Sequence, residues 1–133
     1  MYLLDTNVVS ELRRVRPHGG VLAWLRGVAD GDLHLSAMTL GEIQSGIELT
    51  RQSDARKAAE IEAWLEQVAQ TYNVLPLDGP ILRRWGRLMH RRPDHLIGDA
   101  MIAATALEHR LTVVTRNGLD FAGFGVGVLD PFG

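Results

Sequence analysis

Cysteine is absent from this chain, which excludes disulfides and thiolate metal sites and leaves the redox compartment otherwise unconstrained. Lysine occurs once, at Lys57, and a net charge of -2 argues against a protein that coats nucleic acid nonspecifically through a broad positive surface. No apolar run approaches the about 18 residues of a membrane span. The start, Met1-Tyr2-Leu3-Leu4-Asp5, lacks the basic region and long apolar segment of a secretory signal. The expectation is a soluble, cytoplasmic protein with no membrane partner. Internal repeats and low-complexity tracts are missing, as are a G-x-x-x-x-G-K-[ST] phosphate loop and a G-x-G-x-x-G dinucleotide turn. The serines show no Ser-His-acid arrangement, and the five histidines form no H-x-x-x-H pair. Covalent catalysis and a histidine zinc site are therefore poorly supported. His90 and His95 remain as groups for a substrate phosphate or for covering a loop.

What the chain does contain is enough apolar residue, 46% of 133, for one ordinary core spanning 1–133. Tyr2-Leu3-Leu4 reads as a short buried strand ending at Asp5-Thr6-Asn7, three residues suited to cap the helix through Val8, Val9 and Leu12. A second helix follows Gly19-Gly20. Leu33-His34-Leu35 predicts a strand, Thr39 the start of a helix with Glu42 in its first turn, and Asp54 to Gln70 a long helix. Val74 to Leu77 reads as a strand that Pro76 restricts to an end or edge, and Asp78-Gly79-Pro80 opens a helix that Arg92-Pro93-Asp94 breaks. Gly98 precedes a mostly buried helix from Asp99 to Leu107. Leu111 to Thr115 is the clearest strand, Arg116 to Phe121 a loop or short helix, and Val126 to Leu129 a last strand. The alternation predicts an α/β fold with a small, mainly parallel central sheet flanked by helices. Trp24, Trp64 and Trp85 fit apolar helix faces, and Gly123 to Gly127 fits a structural turn.

Asp5, Glu42, Asp99 and Asp120 are far apart in sequence, yet each falls at a strand end or in a first helical turn, the places that face one crevice in such a sheet. Each also has a local role open to it: Asp5 as a cap, Thr39 to Glu42 as a capping box, Asp99 at a positive helix end, Asp120 in a turn. Jointly they point to a shared divalent cation, because clustered carboxylates need one to offset their repulsion. Oxygen ligands favour magnesium or manganese. Such a site suits phosphodiester hydrolysis, since metal ions, typically about 3.5–4 Å apart when paired, activate water and stabilise charge on phosphate oxygens. Asp5, Glu42 and Asp99 are the main ligand candidates, with Asp120 for a second ion or a water. Thr6, Asn7, Thr115 and Asn117 are suited to orient them. Arg83, Arg84, Arg87, Arg91 and Arg92 form the densest cationic run and Arg13, Arg14 and Arg16 a second, either of which suits phosphate or a solvated face.

These segments together resemble the PIN-domain ribonucleases, especially VapC-type toxins of bacterial type II toxin–antitoxin pairs. Met1 to Asn7, Thr39 to Glu42, Gly98 to Ala106 and Val113 to Phe121 carry the likeness, which spans essentially the whole chain. The resemblance implies a PIN fold and a magnesium- or manganese-dependent endoribonuclease with an RNA substrate, inhibited by a cognate antitoxin. It further implies a homodimer, and an antitoxin segment over a groove near the site that caps the acids with an arginine. Asp5, Glu42 and Asp99 carry over directly. Many relatives place an acid near Asn117, whereas here Asn117 is followed by Asp120. That departure leaves open which of the two completes the pocket. It also keeps a catalytically weak PIN module, binding nucleic acid or a partner protein, as the alternative. A phosphoacceptor receiver domain fits less well, because the lysine expected after a late strand is absent. Helices with Trp24, Ile47, Ile61, Trp64 and Leu65 serve either core or contact.

Overall fold

Leu3 and Leu4 are both fully buried, yet adjacent residues of a strand point to opposite faces, so the first strand must be covered on both sides. The structure, a computed structural model describing residues 1–133, shows how. Strand β1 (Tyr2–Leu4) leads directly into helix α1 (Thr6–Glu11), followed by α2 (Gly19–Arg26) and β2 (Leu33–Ser36). Helices α3 (Ala37–Arg51) and α4 (Ala55–Thr71) precede β3 (Asn73–Leu75), and α5 (Gly79–Leu88) and α6 (Ile97–His109) precede β4 (Thr112–Val114). A short α7 (Gly118–Ala122) and β5 (Val128–Leu129) complete the chain. All strand pairs are parallel, in the order β3-β2-β1-β4-β5.

Leu4 joins Val8, Val9, Leu35, Ile43, Ile47, Leu65 and Val114 on the face covered by α1 to α4. Leu3 joins Val113, Ile102, Ala103, Ala106 and Phe121 on the other, where α6 lies against the sheet. Every residue of α6 from Ala100 to Thr105 is buried, and its alanines let the helix approach closely. No helix is long and apolar enough to cross a membrane.

The chain builds β2 and β3 on one side of β1, then crosses to place β4 and β5 on the other. This reversal opens a crevice at the carboxyl ends of β1 and β4. The register sets what lies there. Leu4 pairs with Val114, and the Asp5 amide donates to the Val114 carbonyl at 2.9 Å, so Asp5 and Thr115 leave the sheet side by side.

One helix starts earlier than the sequence suggests. Ser36, the last residue of β2, caps α3 by accepting from the Met38 amide at 3.1 Å. The strand therefore turns into helix with no loop between, and Thr39 is buried rather than capping. Glu42 sits in the second turn, not the first, so the expected Thr39–Glu42 capping box does not form.

Trp24 meets Tyr2 edge-on at 5.1 Å, and Trp64 and Trp85 are partly buried, as packing roles require. Gly125, at φ 78, makes the turn before β5. Leu4→Ala removes the contact of β1 with the α1–α4 face. The expected cost is about 2–5 kcal/mol of unfolding free energy, read from urea denaturation with an unchanged slope.

Candidate active site

Asp5 is the most enclosed of the four acids, 3% exposed. It caps α1 by accepting from the Thr6 amide at 2.7 Å through Oδ1. Its Oδ2 accepts from Thr115 Oγ1 at 2.8 Å and from Asn7 Nδ2 at 3.1 Å. The loop after β4 is tied back in turn: the Asn117 amide donates to Thr115 Oγ1 at 2.9 Å, and the Arg116 amide to Asn7 Oδ1 at 3.4 Å. Thr6, Asn7 and Thr115 thus surround Asp5. Asn117 contributes its backbone, and its side chain does not cap α7.

Glu42 reaches the same crevice from α3. Thr6 Oγ1 donates to Glu42 Oε1 at 2.8 Å and lies 3.1 Å from Thr39 Oγ1. Thr6 has one hydroxyl proton, so with that proton on Glu42 the Thr39 hydroxyl is the donor to Thr6. The other oxygen, Oε2, faces the start of α6, where a methyl built on Gly98 would stand only 2.7 Å from it. Asp99 follows in the first turn of α6, half-buried and without a hydrogen bond to protein. Asp120 is exposed on the first turn of α7, and its charge reaches Asp99. The fold therefore gathers all four carboxylates into one field.

Their protonation records the crowding. Burial, then the charges of Asp5, Asp120 and Glu42, push the Asp99 carboxyl up to about 6, with His95 partly opposing. Burial also raises Glu42 against the help of its Thr6 hydrogen bond, with Asp5 adding to the rise. Burial raises Asp5 despite its hydrogen bonds from Thr115 and Thr6.

This donor set fits a hard divalent cation in charge and in ligand type. No three acidic or histidine side chains already converge at coordinating distance. Magnesium suits such an open site, because it keeps several waters and takes only one or two carboxylates. Ser36 is not legible in the sequence as part of the site, and Thr39 and Gly98 lie in the segments that carry the family likeness without a role of their own there. Their roles appear only once α3 and α6 are packed, with Ser36 Oγ also 3.1 Å from Thr105 Oγ1 beneath them.

Two depressions flank the acids. One, of about 250 Å³, runs between α1, α3 and α4 and is lined by Thr6, Arg13, Glu42, Ile61 and Trp64 among others. The second, of about 620 Å³, lies beyond Asp120 and includes Arg116, Asn117, Val128 and Asp130. Leu65 belongs to the core, whereas Ile47, Ile61 and Trp64 are shared between core and groove.

The chain belongs to the PIN-domain family, whose model matches residues 2–125. Among its relatives is the VapC ribonuclease Y4jK of Sinorhizobium fredii, 34% identical, the alignment covering 99% of this chain and 98% of that one. The crystal structure of FitAcB from Neisseria gonorrhoeae superposes with a TM-score of 0.86 at 34% identity, over 99% of both chains. A toxin–antitoxin complex from Klebsiella pneumoniae superposes at 0.75 with 28% identity, over 98% of both. The chain is a PIN domain of the VapC/FitB toxin type.

Two outcomes follow from the geometry. The folded-state pKa values of Asp5, Glu42 and Asp99 lie above their ordinary values, so the native state binds more protons than the unfolded one between the usual carboxylate range and about 6. Their contribution to stability is present below that window and is lost as pH rises through it. Melting curves of metal-free protein should show Asp99→Asn gaining on the wild type as pH rises from about 4.5 to about 7. Equal gains at both pH values would contradict the crowding. Gly98→Ala should push Glu42 out of place and weaken magnesium binding by about 10–100-fold in calorimetric titration, without unfolding the protein.

Proposed function

We propose that the protein is a magnesium- or manganese-dependent endoribonuclease toxin that hydrolyses RNA phosphodiester bonds and is inhibited by a cognate antitoxin. The observation that carries the reading is the gathering of Asp5, Glu42, Asp99 and Asp120 into one mutually repelling field. Support comes from the likeness to a VapC ribonuclease and to a chain of a toxin–antitoxin complex.

A divalent cation bound at this crevice supplies Lewis-acid stabilisation of phosphate oxygens and lowers the pKa of an attacking water. Asp5, Glu42 and Asp99 would hold it, one or two of them directly and the rest through its retained waters. Asp5 is fixed by Thr115 and Asn7, so its carboxylate stays directed at the crevice without reorganisation. Thr6 aligns Glu42. Asp120, exposed at the rim, orients water or takes a second ion, and Asn117 beside it lines the adjoining depression. No side chain in the crevice is a cysteine or an activated serine, so water is the nucleophile. The depressions on either side give an RNA strand a path past the acids, with Arg13 in one and Arg116 in the other.

The groove holding Ile61, Trp64 and Arg13 opens directly beside Glu42, so an antitoxin segment laid along it reaches the acids. An arginine at its end would pair with the carboxylates and displace the cation. A homodimer, which would set two crevices along one RNA surface, belongs to the same reading. The competing reading is a PIN module that binds nucleic acid without cutting it, favoured by the lack of three converged ligands.

Cleavage of a mixed RNA pool by antitoxin-free protein separates the two. Products are expected with magnesium or manganese and absent with EDTA or in folded Asp99→Asn protein. Thr115→Val, which frees Asp5 from its strongest side-chain tether, should lower the rate about 10–100-fold. Equal cleavage by Asp99→Asn would remove that residue from the mechanism, and no cleavage by the wild type would favour the binding module.

A further inference from the structure

Residues 79–93 contain five arginines and no aspartate or glutamate, in a chain whose net charge is -2. The fold divides these arginines. Arg84 pairs with Glu108 at 3.1 Å. Arg92 donates to the Gly123 carbonyl at 2.7 Å and lies over the Phe124 ring, 4.9 Å from its centre. Both are committed to tertiary structure, and Arg91 sits in the turn after α5 with a φ of 60.

Arg83 and Arg87 are different. Both are exposed, and neither side chain has an ion pair or hydrogen bond within the protein. Spaced four apart, they share one face of α5, and His90 continues that face just past the helix end. With Gly86 they line a shallow hollow of about 500 Å³. Gly86 adds no side chain to this face, and a Cβ built there would meet nothing within 4 Å, so the hollow is open space. A neighbouring hollow bounded by Arg83 and Arg87 holds one carboxylate, Glu108, already paired with Arg84. The ledge is thus cationic, forked in hydrogen-bonding geometry and unneutralised, which matches phosphate. It has no apolar side chain for a protein segment to bury, which argues for a polyanion over a peptide.

Its position matters as much. Glu108 marks the ledge's end of α6 and lies nine residues from Asp99, about 14 Å of helix rise. A phosphate held by Arg83 and Arg87 is therefore not the scissile one. We propose that Arg83, Arg87 and His90 form a second phosphate-contact ledge for the backbone of an RNA that extends beyond the acidic crevice, so that long, folded RNA is preferred over short oligonucleotides. The inference rests on the ribonuclease reading above and extends it to the class of substrate.

The test compares wild-type protein with R83Q/R87Q on two substrates: a folded RNA, and a short oligonucleotide spanning only the cleaved bond and its neighbours. R56Q, on the far helix α4, controls for loss of positive charge. On folded RNA the double variant should show KM raised about 10-fold with kcat unchanged, and a slope of log affinity against log salt reduced by about 1.4–1.8, the release expected for two phosphate contacts. R83K/R87K should restore part of the KM. On the oligonucleotide, KM should not move, and R56Q should match wild type on both. No cleavage by wild type would overturn the ribonuclease reading and the ledge with it. Cleavage by wild type with the same KM and salt slope in R83Q/R87Q would overturn the ledge alone. So would an equal rise on the short substrate, which would place these arginines at the cleaved bond, or weakened antitoxin binding with unchanged KM, which would assign the face to a protein.

Discussion

Asp5 combines three requirements: a carboxylate nearly sealed from water, a helix to cap, and a charge felt by two further acids, Glu42 and Asp99. The rest of the site follows from satisfying them. The amide of Thr6, the hydroxyl of Thr115 and the side-chain amide of Asn7 compensate burial, as a buried ionised group demands. They do not compensate the other carboxylates. What remains is a deficit of positive charge at one place, and this deficit turns a structural cap into a cation site.

That deficit is also why helix ends and strand ends meet here. Asp99 gains from the positive end of α6, but the gain does not overcome burial and three neighbouring acids, so its carboxyl stays up at about 6. Gly98 allows α6 to begin hard against Glu42, since a Cβ there would stand 2.7 Å from Oε2 and make the carboxylate move aside. The crevice sits on a packed sheet, with Leu3 and Leu4 locked into opposite core faces. A fold of lower rigidity would relieve the repulsion by letting the acids swing apart.

Much of this was legible before the fold was known. Short β-branched runs such as Thr112-Val113-Val114 and the capping residues Asp5, Asp54 and Asp78 carry their conformations locally, and each element they imply is present. Acids at element ends could be read as one crevice because parallel α/β connectivity constrains where such ends lie. The start of α3 departs from the sequence expectation because Thr39 has the better capping signature, while Ser36 caps from within the strand. The sequence marks Thr115 as suited to orient an acid without showing which one. Thr115 and Asp5 are 110 residues apart, and only the register of β1 against β4 brings them together. The arginine run likewise read as one patch, because nothing in its spacing foretells Glu108 and the Gly123 carbonyl as partners for two of its members.

The central claim is that these distant carboxylates share a cation. It is tested most directly by a crystal structure grown with manganese and measured for anomalous scattering. A peak within coordinating distance of Asp5 and Asp99, with Glu42 ligating directly or through water, is the predicted result. Well-ordered, empty density at the crevice with the ion bound elsewhere, or carboxylates unmoved and unligated at saturating manganese, would contradict it.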